Sequence, residues 1–258
     1  MEYKTIIVEK KEKTAKVTLN LPDSFNALDL VMREELKDAF TGFSLDQDIK
    51  VVIITGAGKA FCAGGDVTTM KGVTAPAARI RLKNVQKLIW LMRNLEKPVI
   101  AAVNGFATGA GLHIALACDL IIASENAKFR ESFMMIGLIP DMGGFYSLPL
   151  RVGVAKAKEL MFTGRLFDAR EAESIGLVNK VVPHSGLEKE VTDLAETLAQ
   201  GPSNVFAMIK SALNLWPMNF EASLELEANL QSVAFATKDF DEGRRAFLEK
   251  RKPEFTGE

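Results

Sequence analysis

The sequence predicts an α/β protein in which a core of strands and helices is followed by a helical C-terminal region. Two short apolar runs, at 51–55 and 98–104, have the uninterrupted hydrophobicity of strands that are covered on both faces. Each run leads into a glycine-rich turn, and helical periodicity with one buried face follows. Beyond residue 183 only helical patterns remain. We therefore place the α/β core at 1–195 and a helical, oligomerising region at 196–258.

The chain opens with the pattern of a hairpin and a helix. Residues 14–20 alternate apolar and polar side chains, which is the period of a half-buried strand, and an apolar run at 6–8 supplies its partner. From Leu28 the apolar residues recur every three or four positions, as in a helix with one buried face. Asp29 is a suitable N-cap for that helix.

Strands and helices continue to alternate along the chain until only helices remain. A helix over 76–95 ends before Pro98, since the residue before a proline disfavours helical geometry. Short strands are predicted at 119–123 and 127–129, and proline and glycine hold a loop at 137–144. The C-terminal helices are predicted at 185–200, 203–214, 219–237 and 240–250.

Composition limits the classes of function. The 258 residues contain 32 Lys and Arg against 33 Asp and Glu, a formal net charge of −1, so we expect no nucleic acid or membrane partner. Two histidines nearly exclude a histidine-rich metal centre, and we expect no metal. Two cysteines, Cys62 and Cys118, cannot form a disulfide framework. With no secretory leader pattern and no run of roughly 20 apolar residues, we expect a cytoplasmic protein.

The two glycine-rich turns, at 56–66 and 105–113, are the most informative feature. Backbone N–H groups at a helix start lack partners within the helix. Two such turns brought together would offer two convergent donors to a developing oxyanion or enolate. Small residues would let a ligand approach the backbone closely, and they are Ala63, Gly64, Gly65, Gly109, Ala110 and Gly111. The alternative is that both segments are tight strand-to-helix turns and nothing more.

Several ordered motifs carry a family resemblance. They are FNAL at 25–28, AFCAGGD at 60–66, the long run at 97–129, GLIPDMGGFYSLP at 137–149, two pieces within 163–183 and DEGRRAFLEKRKPEF at 241–255. Through them the sequence resembles the crotonase, or enoyl-CoA hydratase/isomerase, superfamily over nearly its whole length. The resemblance implies a spiral of ββα units, C-terminal helices that trimerise, and self-association as a trimer or hexamer. It also implies an acyl-CoA substrate, with coenzyme A as part of that substrate and no separate cofactor.

The resemblance assigns site residues to this chain. The N–H groups that hold the thioester carbonyl fall on Ala63 and Ala110. Phe247 and Lys250 fall at the adenine and phosphate end of coenzyme A bound in a neighbouring subunit, although cations at a helix C-terminus need no such role. The full predicted substrate-binding set is Ala63, Gly64, Gly65, Asp66, Gly109, Ala110, Phe133, Tyr146, Phe247 and Lys250.

The family pattern breaks at the two glutamates of the hydratases. His113 and Phe133 stand at those positions, so paired-carboxylate addition of water cannot be transferred to this chain. Asp141 matches the catalytic aspartate of dienoyl-CoA isomerases and of the ring-modifying isomerase of phenylacetate breakdown. Apolar neighbours should raise its pKa. The alternative is that Asp141 caps the following helix.

Four other residues receive structural interpretations from the sequence. We expect His113 to be a satisfied core histidine and Glu131 to face solvent. Asp66 is expected to hydrogen-bond nearby backbone and Cys62 to be a small core residue. A fifth residue, Tyr146, is instead expected to line the acyl pocket.

Three functions remain open at this point. The favoured one is an enoyl- or dienoyl-CoA isomerase that shuttles a proton on Asp141, with Ala63 and Ala110 as donors. An enoyl-CoA hydratase and a non-catalytic acyl-CoA-binding protein are the alternatives. A nucleotide-binding oxidoreductase is disfavoured because Ile114 occupies the third small position of its fingerprint. The acyl group depends on the segment 67–83, which we expect to be a flexible lid.

Overall fold

Ten strands and nine α-helices make up the part of the chain that the computed structural model describes, residues 3–258. The strands are β1 Ile6–Lys11, β2 Thr14–Leu19, β3 Val51–Gly56, β4 Ala60–Cys62, β5 Val99–Val103, β6 Phe106–Thr108, β7 Leu120–Ser124, β8 Lys128–Arg130, β9 Phe167–Asp168 and β10 Lys180–Val182. The helices are α1 Leu30–Leu45, α2 Ala75–Asn94, α3 Ala110–Leu116, α4 Gly144–Thr163, α5 Ala169–Ser174, α6 Leu187–Ala199, α7 Ser203–Asn214, α8 Phe220–Phe235 and α9 Lys238–Glu249. The predicted α/β class and the helical C-terminal region are confirmed.

The larger sheet has six strands in the order β1, β2, β3, β5, β7, β10. The hairpin of β1 and β2 is antiparallel, with Ile6 opposite Leu19, and every later pairing is parallel. The central strands β3 and β5 contribute to two separate apolar clusters, one on each face. This burial explains why they read as continuous apolar runs rather than as alternating ones.

The smaller sheet places the site. Its order is β4, β6, β8, β9, and the first three strands run parallel. Each of β4, β6 and β8 directly follows a strand of the larger sheet and precedes a helix, so a ββα unit occurs three times in succession. Because carboxyl ends of neighbouring parallel strands meet at one edge, the segments that follow these three strands lie side by side.

Local sequence signals fix the helix ends as predicted. Asp29 caps α1 by accepting a hydrogen bond from the Met32 amide at 2.7 Å, and α2 ends at Asn94, before Pro98. The helix α6 crosses the predicted boundary between residues 195 and 196. It does so because Ala195 and Ala199 continue the buried face with which α6 covers the larger sheet.

The C-terminal helices differ in their attachment to the core. Lys210 on α7 is buried and pairs with Asp119 at 2.7 Å, which ties α7 to the start of β7. By contrast, α8 has no buried residue. Of the helices within residues 3–258, none has the length and hydrophobicity needed to cross a lipid bilayer.

Candidate active site

A cavity of about 470 Å³ lies at the edge where β4, β6 and β8 end. Its wall contains seven of the residues predicted for the site: Ala63, Gly64, Gly65, Gly109, Ala110, Phe133 and Asp141. Apolar side chains from the segment between β4 and the middle of α2 cover the cavity, among them Val67, Met70, Leu82 and Val85. The structure therefore brings both glycine-rich turns and the predicted aspartate to one place.

The first turn presents a different donor from the one predicted. The Ala63 N–H donates to the Phe25 carbonyl at 2.9 Å, so it is already engaged and the prediction for this amide is corrected. Two residues after Ala63, Gly65 forms a parallel β-bridge with Leu28. In that bridge the hydrogen bonds use the Gly64 carbonyl and the Asp66 amide, at 2.8 and 3.4 Å from Leu28. The Gly65 N–H points away from Leu28, and no group within residues 3–258 accepts its hydrogen.

The second turn contributes the Ala110 amide, as predicted from the sequence. Gly109 adopts a positive φ of 51° and its N–H donates to the Arg130 carbonyl at 2.9 Å, which ties this turn to the end of β8. Ala110 then begins α3, where first-turn amides have no intrahelical partner. Its N–H likewise has no acceptor in the described part of the chain.

Close packing of backbone on backbone holds the two turns together. A Cβ added to Gly111 would lie 2.0 Å from the Cys62 carbonyl oxygen, a distance that no side chain can occupy. A Cβ added to Gly64 would lie 3.9 Å from the Ala110 amide nitrogen. The small residues are therefore needed for the turns to adjoin, and the Gly65 and Ala110 amides are positioned by strand pairing and steric fit.

Asp141 lines the same cavity from the loop before α4. Its Oδ1 is buried and unpartnered among the described residues. Burial raises the pKa of this carboxyl above its ordinary value, while interactions with His113 and with the guanidinium groups of Arg33 and Arg81 act against that increase. The helix α4 begins after Gly143, with no side-chain cap. The alternative interpretation of Asp141 as the cap of that helix is therefore wrong.

His113 and Glu131 form a buried pair behind this wall. The Nε2 of His113 lies 2.9 Å from Oε1 of Glu131, and both residues are 1% exposed. The His113 ring stacks on Phe133, with 5.0 Å between ring centroids. His113 lies in the core as expected, but it is not fully satisfied, because its Nδ1 is buried without a hydrogen-bond partner among the described residues. The expectation that Glu131 faces solvent is wrong, because the chain leaves the extended conformation after β8 and turns into a 3₁₀-helix at Phe133–Ile136.

Four predicted binding residues lie outside the cavity wall. Asp66 accepts hydrogen bonds from the Thr68 amide and hydroxyl, at 2.9 and 2.6 Å, which is the local structural role expected for it. The Tyr146 hydroxyl donates to the Trp216 carbonyl, so this ring does not line the acyl pocket as predicted. Phe247 is 83% exposed and Lys250 is also exposed, at the end of α9. Their predicted contact with coenzyme A in a neighbouring subunit stays a prediction.

Two arginines in the cavity wall were missed by sequence reasoning. Arg33 is only 7% exposed, and its Nε and Nη2 donate to the Leu28 carbonyl at 3.2 and 3.0 Å. Arg81 lines the same cavity from α2. The signal for Arg33 was present in the sequence, since it stands three residues before Leu36 and seven before Phe40, on the buried face of α1.

The groups present do not form a metal centre. Within residues 3–258, no three His, Cys, Asp or Glu side chains come together as ligands. The two cysteines are unpaired and buried, and burial raises the pKa of Cys62 to about 11, so its thiol is not a ready nucleophile. The polar groups that the cavity offers are therefore two backbone donors, two guanidinium groups, one carboxyl group and the hydroxyl of Ser132.

Comparison with known proteins identifies the family. A family described as "Enoyl-CoA hydratase/isomerase" matches residues 9–258. The chain is 41% identical over 257 residues to the crotonyl-CoA hydratase of Syntrophomonas wolfei, covering 99% of each protein. It is 38% identical over 256 residues to the short-chain-enoyl-CoA hydratase of Clostridium acetobutylicum, covering 98% of each.

Solved structures agree with the sequence relatives. The crystal structure of enoyl-CoA hydratase from Bacillus anthracis superposes with a TM-score of 0.94 at 36% identity, covering 99% of this chain and 100% of that one. An enoyl-CoA hydratase subunit from Geobacillus kaustophilus gives a TM-score of 0.95 at 34% identity, with both chains covered in full. Together with the three ββα units and the cavity at their edge, these matches show that the chain has the crotonase fold and belongs to the enoyl-CoA hydratase/isomerase family.

Proposed function

We propose that this protein isomerises an enoyl- or dienoyl-CoA thioester, with Asp141 as the group that moves the proton. One observation carries the proposal. Asp141 is the only carboxylate residue that lines the cavity within residues 3–258, and it shares that cavity with the free amides of Gly65 and Ala110, while its Oδ1 is buried without a partner. Donors for a thioester oxygen and one proton acceptor are the minimum that this reaction requires.

The proposed reaction is a balanced proton transfer. The thioester oxygen accepts hydrogen bonds from the Gly65 and Ala110 N–H groups. The Asp141 carboxylate removes a proton from a carbon next to the conjugated system, and the electron pair of that C–H bond delocalises onto the oxygen as an enolate. Each backbone donor can lower the barrier by about 3 kcal/mol. Protonated Asp141 then returns the proton to a different carbon, so the double bond moves and the composition is unchanged.

The raised pKa of Asp141 suits this cycle. A carboxyl group with an ordinary pKa holds an abstracted proton poorly near neutral pH, whereas burial brings Asp141 closer to the pH at which it must both accept and return a proton. Glu131 does not compete for this role. Its Oε1 contacts the His113 ring, and the residue is buried behind the cavity wall rather than in it.

Hydration of a 2-enoyl-CoA is the second candidate. The names of the relatives favour it, because the proteins from Syntrophomonas wolfei and Clostridium acetobutylicum are both called hydratases. In this reaction Asp141 would take a proton from water as oxygen bonds to the β-carbon, and the α-carbon would receive a proton. The lack of a carboxylate at residues 113 and 133 leaves no second acidic group to orient that water.

Reaction in deuterated water distinguishes the two candidates. Crotonyl-CoA and 3-enoyl-CoA isomers are incubated with the protein, and products are followed by mass spectrometry and proton NMR. We expect double-bond migration with deuterium incorporation and no gain of a water. Rapid formation of a 3-hydroxyacyl-CoA would replace the isomerase proposal with the hydratase. Binding of acyl-CoA without exchange or conversion would favour the non-catalytic alternative.

Substitution of Asp141 tests the proton carrier directly. We expect Asp141→Asn to lower kcat about 10²- to 10⁴-fold with little change in KM, since the amide cannot accept the proton. The matched control is Asp193→Asn on α6, a carboxylate that is exposed and pairs with Lys189. Unchanged turnover by Asp141→Asn on every substrate would remove this residue from the mechanism.

We also infer that the chain self-associates as a trimer or hexamer through its C-terminal helices. The support is that α8 has no buried residue within one chain, yet carries large exposed apolar side chains, among them Phe220, Leu224, Val233 and Phe235. A surface of this kind marks an interface. Sedimentation velocity should show a species of at least three chains, and a monomer at micromolar concentration would contradict the inference.

A further inference from the structure

We propose that Arg33 and Arg81 bind a carboxylate carried by the acyl part of the thioester substrate, so that the preferred substrate is the CoA thioester of an unsaturated dicarboxylic acid. This inference rests on the proposed function, because it assigns the acyl group to the same cavity. It is carried by the burial of Arg33, the lack of an ion-pair partner for either arginine, and the apolar character of the surrounding wall.

Arg33 lies deep in the cavity, next to the donor turn. A Cβ added to Gly65 would be 3.6 Å from Nη2 of Arg33, which places the guanidinium beside the amide assigned to the thioester oxygen. Its Nε and Nη2 are used on the Leu28 carbonyl, whereas Nη1 has no hydrogen-bond partner in the described part of the chain. A side chain that is 93% buried thus keeps donor capacity at the acyl end of the site.

Arg81 approaches the cavity from the covering segment. Its Nη2 donates to the Thr69 hydroxyl at 2.8 Å and its Nη1 to the Thr69 carbonyl at 3.2 Å, so the guanidinium is held in place by neutral groups. The two arginines lie close enough for Arg81 to add to the effect of burial in lowering the pKa of Arg33. The cavity therefore gathers two cations that repel each other.

The acidic residues near Arg33 and Arg81 have other roles and form no ion pair with them. Considering residues 3–258, no Asp or Glu oxygen lies within 4.0 Å of either guanidinium. The nearest acids that act on Arg33 are Asp141, Asp29 and Asp66. Asp29 caps α1, Asp66 caps the short 3₁₀-helix that follows the first turn, and Asp141 is the proposed proton carrier.

A bound carboxylate supplies what the site lacks. A buried charge without a partner destabilises the protein, and a guanidinium recovers that loss best when it forms paired hydrogen bonds with a carboxylate. The rest of the wall is apolar, with Val67, Met70, Val85 and Met142 suited to a carbon chain. Phosphates of coenzyme A share the same chemistry. The position of Arg33 beside Gly65 favours the acyl carboxylate, because that amide faces the thioester carbonyl rather than the nucleotide.

Comparing the affinities of two saturated thioesters shows whether the arginines bind the acyl carboxylate or the phosphates of coenzyme A. Glutaryl-CoA and valeryl-CoA have acyl chains of the same length and differ in the terminal carboxylate, and neither contains the double bond needed for turnover. Isothermal titration calorimetry should show about 10-fold or tighter binding of glutaryl-CoA. Equal affinity of the two thioesters for the unaltered protein would overturn the proposal. Failure to bind any CoA thioester would instead contradict the proposed function itself.

Variants locate the effect on the arginines. We expect Arg81→Met and Arg33→Met each to weaken glutaryl-CoA about 10- to 100-fold and to leave valeryl-CoA and free coenzyme A unchanged. Arg79→Met is the control, since Arg79 is exposed on the same helix and does not line the cavity. Equal weakening of all three ligands would assign the arginines to coenzyme A phosphates, and no change for any ligand would leave them a structural role. Either outcome would overturn the proposal, and Arg81→Met tests it even if Arg33→Met is unstable.

Discussion

The two walls of the cavity are built in different ways. The backbone wall, formed by Gly65 and Ala110, presents main-chain amides that strand pairing and close packing hold in position. The side-chain wall is formed by Phe133 and Asp141 and is backed by the buried His113–Glu131 pair. This region contains polar groups that burial leaves incompletely partnered. Within the described residues, His113 Nδ1, Glu131 Oε2 and Asp141 Oδ1 are all buried without a hydrogen-bond partner.

The difference separates binding of the thioester from choice of reaction. A main-chain amide persists when the side chains around it change, so the backbone wall can stabilise an oxyanion for any acyl-CoA that fits. In the proposed reaction the side-chain wall decides where a proton goes, because it holds the Asp141 carboxyl group and sets its surroundings.

The largest effect is expected from Glu131→Ala, behind the side-chain wall. Removal of Glu131 leaves the buried His113 ring with no partner, and we expect a loss of about 3 kcal/mol in the free energy of unfolding. Urea unfolding followed by circular dichroism measures this. The double variant His113→Leu with Glu131→Leu should recover part of the loss, because an apolar pair needs no hydrogen bond. A Glu131→Ala protein as stable as the original would mean that the pair contributes nothing to the wall.

The corresponding change in the backbone wall is Ala110→Pro. Proline is accepted at the first position of a helix, so the substitution removes the N–H with the least disturbance of α3. We expect kcat to fall about 10²- to 10³-fold because one donor to the oxyanion is lost. The far-ultraviolet spectrum and melting temperature serve as controls for folding. If a folded variant keeps its full rate, the oxyanion does not depend on the Ala110 amide.

The backbone wall was largely predictable from sequence, whereas the side-chain wall was only partly so. Glycine-rich turns after buried strands indicate close backbone approach, and they predict a donor at Ala110, whose amide has no acceptor within residues 3–258. The pairing of Gly65 with Leu28 depends on a contact between segments distant in sequence, so the donor was placed two residues too early, at Ala63.

The side-chain wall depends on where short loops turn. The motifs placed Asp141 and Phe133 in the site. The prediction that Glu131 faces solvent assumed that the strand continues to that residue, whereas β8 ends at Arg130. Tyr146 was assigned to the acyl pocket by proximity in sequence. It lies in the first turn of α4, and its hydroxyl donates to the Trp216 carbonyl instead. Strand and helix existence is set by local periodicity, while side-chain direction in loops is set by packing that no local pattern records.

Gly111→Ala tests how the turns of the backbone wall are held together. The added Cβ would meet the Cys62 carbonyl oxygen at 2.0 Å, so the turns must separate. We expect a loss of about 2 kcal/mol in the free energy of unfolding and weaker binding of acyl-CoA. Gly42→Ala is the matched control. A Cβ at Gly42 in α1 meets nothing within 4 Å, and alanine there should stabilise the protein by about 0.5 to 1 kcal/mol.

The smallest effect is expected for the change that Asp141→Asn makes to the free energy of unfolding, as distinct from its effect on kcat. Because burial raises the pKa of Asp141 in the folded state above its ordinary 3.8, ionisation of this group costs folding free energy. The cost is absent below pH 3.8, where the carboxyl is protonated in both states. It grows as pH rises through the folded-state pKa and is constant above it. Each unit of elevation corresponds to about 1.4 kcal/mol.

The asparagine variant carries no such cost, so it should be more stable than the original protein near neutral pH. Its advantage should be constant above the folded-state pKa of Asp141 and should shrink as the pH is lowered from there toward 4. Urea unfolding of both proteins across this range measures the difference, with Asp193→Asn as the control that should show no such dependence. An advantage that is the same at every pH would show that Asp141 does not ionise in a buried environment. The side-chain wall would then lack the raised pKa on which its proposed proton transfer depends.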